Sequence, residues 1–150
     1  DSSTSRGLGD VYKRQGFFGF DKKEDVKYIL ISEKGCADPS AEYSLELADG
    51  LLPLDIHTFD KDAFILENEQ VHKVTLYTKE KKACLSLHFH TPVVGLWSPP
   101  AKNAPFVCIE PWYGRCDRAH YTGEYKDKDW MQHLHPDKTF KGGYTIEIEE

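Results

Sequence analysis

The sequence has no apolar run of about 18 residues or more, and no basic start followed by an apolar segment and a cleavage site. The sequence therefore predicts no membrane span and no secretion signal. An excess of positive charge is also missing, since the formal net charge is −6 at pH 7. We therefore expect no nucleic-acid partner and no anionic membrane partner, because phosphate contacts need clustered Lys and Arg.

The four cysteines show no CxxC spacing; they are Cys36, Cys84, Cys108 and Cys116. The sequence therefore contains neither a zinc motif nor a dense disulfide framework. Reduced thiols in a cytoplasmic protein are the simplest interpretation. What is present is typical of a globular chain with one core: 150 residues, of which 39% are hydrophobic and 29% are charged.

The first fifteen residues, DSSTSRGLGDVYKRQ, are polar, rich in Gly and Ser, and lack any helical or strand period. They resemble the translated leaders of fragmentary gene models. We therefore expect residues 1–15 to be a non-native leader and exclude them from the prediction of the fold. The native domain then covers residues 16–150, and we expect an upstream portion to be missing.

From Gly16 onward the chain consists mainly of short β-branched and aromatic segments separated by Gly, Pro and Asp turns. These segments are Val26–Ile31, Glu42–Leu47, Val71–Tyr77, Ala83–Phe89, Phe106–Ile109 and Tyr144–Glu149. The third and fourth predict a hairpin, Asp49-Gly50 predicts a turn, and only residues 126–134 predict a helical turn. Many short strands without a βαβ rhythm predict an all-β fold, an antiparallel sandwich or barrel.

Glu110 is the most informative candidate for chemistry. It lies in A-P-F-V-C-I-E-P-W-Y-G, at the end of an apolar strand. A carboxylate there is paired, or lies at the mouth of a pocket, because an isolated buried charge is costly. One interpretation is a general base or acid working near neutral pH. The other is an ion pair with Arg115 or Arg118, and the spacing favours neither.

Trp97 and Trp112 offer flat apolar faces together with an indole N–H. Sugars present C–H patches and hydroxyls side by side, so an aromatic platform near a carboxylate suits them. Packing in the core is the commoner use of tryptophan. The closeness of Trp112 to Glu110 favours a sugar site.

Two further groups of polar residues have alternative interpretations. Asp62 precedes an apolar strand that begins at Ala63, so it either accepts hydrogen bonds from a ligand or caps a turn. His88 and His90 lie two apart on a strand and so share one face, where they are either a metal pair or solvated polar residues. His133 and His135 present the same choice, and neither pair has a third ligand at an obvious spacing.

Three motifs carry a resemblance to a known family. They are L-P-L-x-x-x-x-F-D-K-D-A-F-I-L-E-N at 52–68, V-G-L-W-S-P at 94–99 and P-F-V-C-I-E-P-W-Y-G at 105–114. Together they resemble the aldose 1-epimerase (galactose mutarotase-like) family, and within it the LacX-type subgroup. The resemblance spans roughly residues 51–150. It implies a large antiparallel β-sandwich, the galactose mutarotase-like supersandwich, truncated here to its C-terminal part.

The resemblance also implies a function, the cofactor-free interconversion of the α and β anomers of a hexose. In the family a Glu removes the proton of the anomeric hydroxyl, and a His protonates the ring oxygen. By its place in the motif Glu110 is similar to that base, and Asp62 is similar to the carboxylate that orients sugar hydroxyls, with Asp60 as the alternative. We expect Trp97, Trp112 and His57 to contact the sugar, and we expect no metal.

One departure from the family concerns the acid. Its histidine lies in an N-H-P or G-H-P context in the family, and none of the seven histidines here lies in an N-H-P context. Residues 16–20, GFFGF, resemble the segment directly after that histidine in the family. We therefore expect a fragment that holds the base and part of the sugar pocket without the acid.

Three other functions stay open at this point. A hexose-6-phosphate 1-epimerase would need basic residues that converge on a phosphate, with Arg115, Arg118 and Lys61 as candidates. A non-catalytic carbohydrate-binding β-sandwich would use the tryptophans only as platforms, and a metal-dependent jelly roll would use His88 and His90. The sequence does not indicate the sugar or the oligomeric state.

Overall fold

The computed structural model describes residues 16–102 and 104–149, so the predicted leader, residues 1–15, lies outside the described residues. It contains ten β-strands and two short 3-10 turns, at Glu33–Gly35 and Tyr125–Asp127. The strands are β1 Phe17–Phe20, β2 Lys27–Ile31, β3 Ala37–Ser44, β4 Leu51–Pro53, β5 Phe64–Leu66, β6 Lys73–Tyr77, β7 Ala83–Phe89, β8 Val93–Trp97, β9 Cys108–Trp112 and β10 Tyr144–Ile148.

The strands form two five-stranded sheets. The first sheet has the order β10-β7-β6-β1-β4, and the second has the order β3-β2-β5-β8-β9. All the pairings between these strands are antiparallel. The prediction of an all-β antiparallel sandwich is therefore confirmed. No helix in the described part of the chain has the length and hydropathy to span a bilayer.

The main core lies between the two sheets, because alternate residues of each strand point inward. Phe18, Val74 and Leu87 come from the first sheet, and Leu66 and Leu96 from the second. All five are at most 5% exposed, so the centre of the sandwich is closed to solvent. A smaller cluster of buried residues lies on the opposite face of the second sheet and consists of Ile29, Ala37, Ile65 and Val93.

Local pairing confirms two expectations from the sequence. The predicted hairpin is formed by β6 and β7, which pair from Lys73 opposite His88 to Tyr77 opposite Ala83. The predicted Asp49-Gly50 turn has positive φ at both residues, 54° and 76°. These angles fit the tight turns that join antiparallel strands with the correct twist, and glycine adopts them without strain.

Two predicted strands are displaced along the chain: the predicted Glu42–Leu47 is β3, at Ala37–Ser44, and the predicted Phe106–Ile109 is β9, at Cys108–Trp112. β3 contains Pro39 and β9 contains Pro111, and both strands lie at an edge of the second sheet. An edge strand tolerates proline because one side of it needs no partner, which the sequence pattern alone does not reveal. Of the helical turn predicted at 126–134, only the 3-10 turn at Tyr125–Asp127 forms.

The edge strand β10 carries an uncovered apolar row. Tyr144, Ile146 and Ile148 are 62%, 53% and 70% exposed. Ile146 lies opposite Leu87, so the row continues the inward face of the first sheet beyond the region that the second sheet covers. Exposed apolar edges of this kind promote association between chains.

We predict that Ile146→Lys reduces concentration-dependent self-association of the chain, because it places a charge in the middle of this row. Sedimentation velocity over a hundredfold range of protein concentration measures the effect. Thr145→Lys adds the same charge on the opposite face of β10 and serves as the control. If both variants associate like the unmodified chain, the exposed row does not drive association.

Candidate functional site

The side chain of Glu110 points away from the main core. Ile109 packs against the main core, so its neighbours Cys108 and Glu110 lie on the other face of β9, together with Trp112. On β8, Gly95 lies opposite Glu110. We call this outward surface of the second sheet the Glu110 face.

Both candidate tryptophans lie on the Glu110 face. Trp97 lies opposite Cys108, and Trp112 lies opposite Val93. Because directly opposite residues of antiparallel strands share a face, the carboxylate is bracketed along the sheet by two indole rings. Trp97 also packs against Phe106, with ring centroids 6.3 Å apart.

Glu110 is half-buried and contacts an indole and a thiol. The Nε1–H of Trp112 donates a hydrogen bond to its Oε2, at 3.2 Å. Burial raises the pKa of the Cys108 thiol, and the adjacent Glu110 carboxylate raises it further. The predicted alternative, an ion pair with Arg115 or Arg118, does not form, because Arg115 pairs with Glu67 and Asp129 and Arg118 pairs with Asp129.

Buried aliphatic residues lie beside the carboxylate on the same face of the second sheet. Gly95 lies between Glu110 on β9 and Ile65 on β5, and Ile65 lies opposite Ile29 on β2. Ile65 is fully buried and Ile29 is 4% exposed. Beside these buried residues the Glu110 face carries one half-buried carboxylate and two partly exposed indole rings, a composition that suits a ligand with hydroxyl and C–H groups.

The chain after β9 crosses one end of the Glu110 face and is fastened there by buried charges. Arg115 is 1% exposed; its Nε donates to Glu67 at 2.5 Å and its NH2 group donates to Asp129 at 2.6 Å. The indole of Trp130 also donates to Glu67, at 2.8 Å. A parallel bridge between Ala37 and residue 118 completes the crossing. This cluster holds the end of the face in place.

The ion pairs of Asp129 make this cluster sensitive to acid. The Arg118 guanidinium, and after it Arg115, hold the pKa of the Asp129 carboxyl below its usual value. A lowered pKa means that the interaction stabilises the fold fully above the unfolded pKa and is lost as pH falls through the folded pKa. The stabilisation from the ion pairs of Asp129 is therefore expected to be lost below about pH 4.

We predict that Asp129→Asn lowers the free energy of unfolding by about 1–2 kcal/mol at pH 7, since it removes charged hydrogen bonds to a buried arginine. Urea unfolding at pH 7, 5 and 3 measures the effect. The difference in free energy of unfolding between the unmodified chain and the variant is expected to narrow towards pH 3. Asp25→Asn breaks the exposed pair with Lys27 and serves as the control. A gap that stays constant from pH 7 to pH 3 would contradict the assignment.

Asp62 lies at the entrance of β5, with φ at 72°, and its Oδ1 accepts a hydrogen bond from the backbone N–H of Ala63 at 2.7 Å. Its side chain therefore does cap its own turn, the alternative that the sequence left open. Asp62 precedes Ile65 by three residues, and β5 is two strands from β9, so its Cα lies on the order of 10–15 Å from that of Glu110. Asp60, the alternative to Asp62, contacts His57 Nδ1 through its Oδ2 at 2.9 Å.

The contact of His57 with the sugar stays a prediction. His57 lies in the turns between β4 and β5, where its backbone N–H donates to Asp55. It lines a separate cavity of about 340 Å³ with Tyr28, Leu52 and other residues near the β2–β4 side of the sandwich. Glu110 is not among the residues that line this cavity.

His88 and His90 lie on the first sheet, away from Glu110. Both line a cavity of about 680 Å³ with His72, whose ring packs against that of His90 at 4.8 Å. His88 Nε2 contacts a Glu147 carboxylate oxygen at 2.7 Å. Across residues 16–102 and 104–149, no group of three or more His, Cys, Asp and Glu side chains is arranged to hold a metal ion.

Sequence reasoning missed the residues that support Glu110. Gly95 was not singled out, although an isolated glycine inside a strand indicates that another group approaches closely. The ion pairs of Arg115 join residues 48 and 14 positions apart. No local pattern indicates contacts over such distances, and only the crossing of the chain over the sheet produces them.

Comparison with known proteins agrees with this geometry. No family model matches the sequence. Among curated proteins, the plasmid and chromosomal LacX proteins of Lactococcus lactis subsp. lactis are each 32% identical over 98 residues, which is 65% of this chain and 32% of theirs. The chain thus covers about a third of the length of these relatives.

Two solved structures share the fold. A galactose mutarotase related enzyme from Lactobacillus acidophilus has a TM-score of 0.77 at 27% identity, over 93% of this chain and 46% of that one. A galactose mutarotase-like protein from Lactobacillus casei has a TM-score of 0.71 at 20% identity, over 91% and 46%. The chain therefore has a galactose mutarotase-like fold. It resembles LacX-type proteins in particular, and it corresponds to about half of each matched structure, which confirms the predicted resemblance.

Proposed function

We propose that this chain is part of a mutarotase that interconverts the α and β anomers of a hexose, with Glu110 as the general base. The single observation that carries the proposal is the composition of the Glu110 face. There a half-buried carboxylate lies between Trp97 and Trp112. The similarity to galactose mutarotase-like proteins supports the same conclusion.

The chemistry proceeds by ring opening. The Glu110 carboxylate accepts the proton of the anomeric O1–H, an acid protonates the ring oxygen, and the bond between C1 and the ring oxygen breaks. Rotation about the C1–C2 bond presents the other face of the aldehyde, and closure returns both protons. Trp97 and Trp112 hold the pyranose so that O1 stays within hydrogen-bond reach of the carboxylate.

Asp62 is proposed to accept hydrogen bonds from sugar hydroxyls at the opposite side of the ligand. Its exposed carboxylate keeps one oxygen for the turn at Ala63, and the other can face a ligand. In this proposal the acid comes from a part of the whole protein that lies outside residues 16–150. A separation on the order of 10–15 Å between the two Cα atoms leaves room for one hexose between the side chains.

A sugar-phosphate substrate is less well supported. Arg115 is 1% exposed and engaged by two carboxylates, and Arg118 pairs with Asp129. The Arg115 guanidinium is therefore not presented to a ligand, and that of Arg118, although its side chain is 48% exposed, is already engaged by a carboxylate, whereas a phosphate site requires free basic groups that converge. The second candidate is a sugar-binding sandwich without catalysis, because the Glu110 face has the platforms for binding in this chain while the proposed acid is not assigned to any of its histidines.

The test measures anomer exchange. Hexoses labelled with ¹³C at C1 are equilibrated, and the rate of α–β exchange is followed by NMR, both for the 150-residue chain and for the protein extended by the genomic sequence upstream of Gly16. We predict that Glu110→Gln lowers the rate in the extended protein by a factor on the order of 10²–10⁴, because it removes the base. Glucose and galactose are compared.

Glu147→Gln is the matched control, because it also neutralises a strand carboxylate with a hydrogen-bonded partner, but on the first sheet. It is expected to exchange anomers at the unmodified rate. Equal rates in Glu110→Gln and the unmodified protein would remove Glu110 from the mechanism. Sugar binding detected by NMR without any exchange in the extended protein would favour the second candidate.

A further inference from the structure

Gly95 and Trp112 are a matched pair next to Glu110. We propose that together they position the Glu110 carboxylate, with the indole engaging Oε2 so that Oε1 is the oxygen that receives the sugar proton. This inference deepens the proposed function and rests on it for the identity of the ligand. It makes Trp112 a positioning residue, and it explains why β8 has no side chain opposite the carboxylate.

The space over Gly95 is filled by the indole. A Cβ added at Gly95 would lie 2.5 Å from Cζ2, 2.7 Å from Cη2 and 3.1 Å from Cε2 of Trp112. The ring therefore rests directly on the backbone of β8, and any residue with a side chain at position 95 would displace it. The two residues are not directly opposite, because Gly95 faces Glu110 and Trp112 faces Val93. The indole thus leans back along the sheet towards Glu110.

The orientation of the Trp112 ring directs its indole N–H towards the Glu110 carboxylate. An indole Nε1–H is a donor only, so it can bind the carboxylate but cannot take a proton from it. The bond to Oε2 is 3.2 Å long and joins residues two apart on one strand. A fixed donor on one oxygen restricts rotation of the carboxyl group. Because the base is already oriented, the activation free energy includes less entropy cost for reaching the reactive geometry. Trp112 is therefore more than a wall of the site.

Gly19 and Tyr77 provide a matched comparison within the same chain. A Cβ at Gly19 would lie 2.6 Å from Cε2 of Tyr77, so this glycine also admits an aromatic ring against a strand. The pair belongs to β1 and β6 of the first sheet, where Glu110 does not reach. Gly19→Ala therefore reproduces the packing damage of Gly95→Ala without touching the carboxylate.

The first test uses the 150-residue chain and needs no substrate. The chain has three tryptophans, so its ¹⁵N–¹H spectrum contains three indole N–H peaks, and the Trp112 peak is identified by its loss in Trp112→Phe. We predict that Glu110→Gln and Gly95→Ala each move the Trp112 peak by more than they move those of Trp97 and Trp130. Gly19→Ala is expected to leave it in place. A Trp112 peak that is unmoved in Gly95→Ala, or moved equally by Gly19→Ala, overturns the inference.

The second test uses the kinetics of the extended protein. Gly95→Ala and Trp112→Ala are each expected to lower kcat by roughly tenfold to a hundredfold while KM changes by less than about threefold, as for loss of orientation rather than of binding. In a Trp112→Ala background, Gly95→Ala should cause no further loss, because the ring atoms that the methyl group meets are gone. Losses that multiply would show two independent effects and overturn the inference.

The two tests separate this inference from the proposed function. If the indole peak responds as predicted but no form of the protein exchanges anomers, the positioning contact stands and the mutarotase proposal is wrong. If the extended protein exchanges anomers and both variants keep the unmodified kcat, the mutarotase proposal stands and the positioning role is wrong.

Discussion

The alternation of side chains along β9 is the constraint on which the candidate site depends. Ile109 is partly buried and packs against the main core, and this fixes Glu110 on the opposite face of the strand, in line with Trp112. A shift of one residue in the pairing of β9 with β8 would turn the carboxylate into the core and the isoleucine outward. The burial of one aliphatic side chain thus determines where the only carboxylate of β9 can act.

A second layer of structure covers one end of the Glu110 face. The segment after β9 returns across the sheet and is held by the buried Arg115 between Glu67 and Asp129. Removing one member of such a group leaves a buried charge without its partner. This destabilises the fold far more than breaking an exposed ion pair does. Charge in this protein therefore serves to fix a boundary of the face, while the Glu110 carboxylate is left with a neutral donor, the indole of Trp112.

Much of the fold could be predicted from the sequence, because strand alternation and turn chemistry are local. The β6–β7 hairpin and the Asp49-Gly50 turn follow from residue types over a few positions. The site could be predicted only in part. The conflict between the charge of Glu110 and its apolar flanks marks it as a candidate, whereas no local pattern indicates that Gly95 lies opposite it or that β5 and β8 lie between β2 and β9. Such separation depends on strand order, which no local pattern encodes.

Pro111 has a consequence for access to the site. It follows Glu110 directly, on a strand whose outer side has no neighbour among residues 16–102 and 104–149 in the second sheet. Proline carries no amide hydrogen, so an incoming strand that docked along this border would find a missing rung beside the carboxylate. Pairing of another chain with β9 is therefore disfavoured directly beside Glu110.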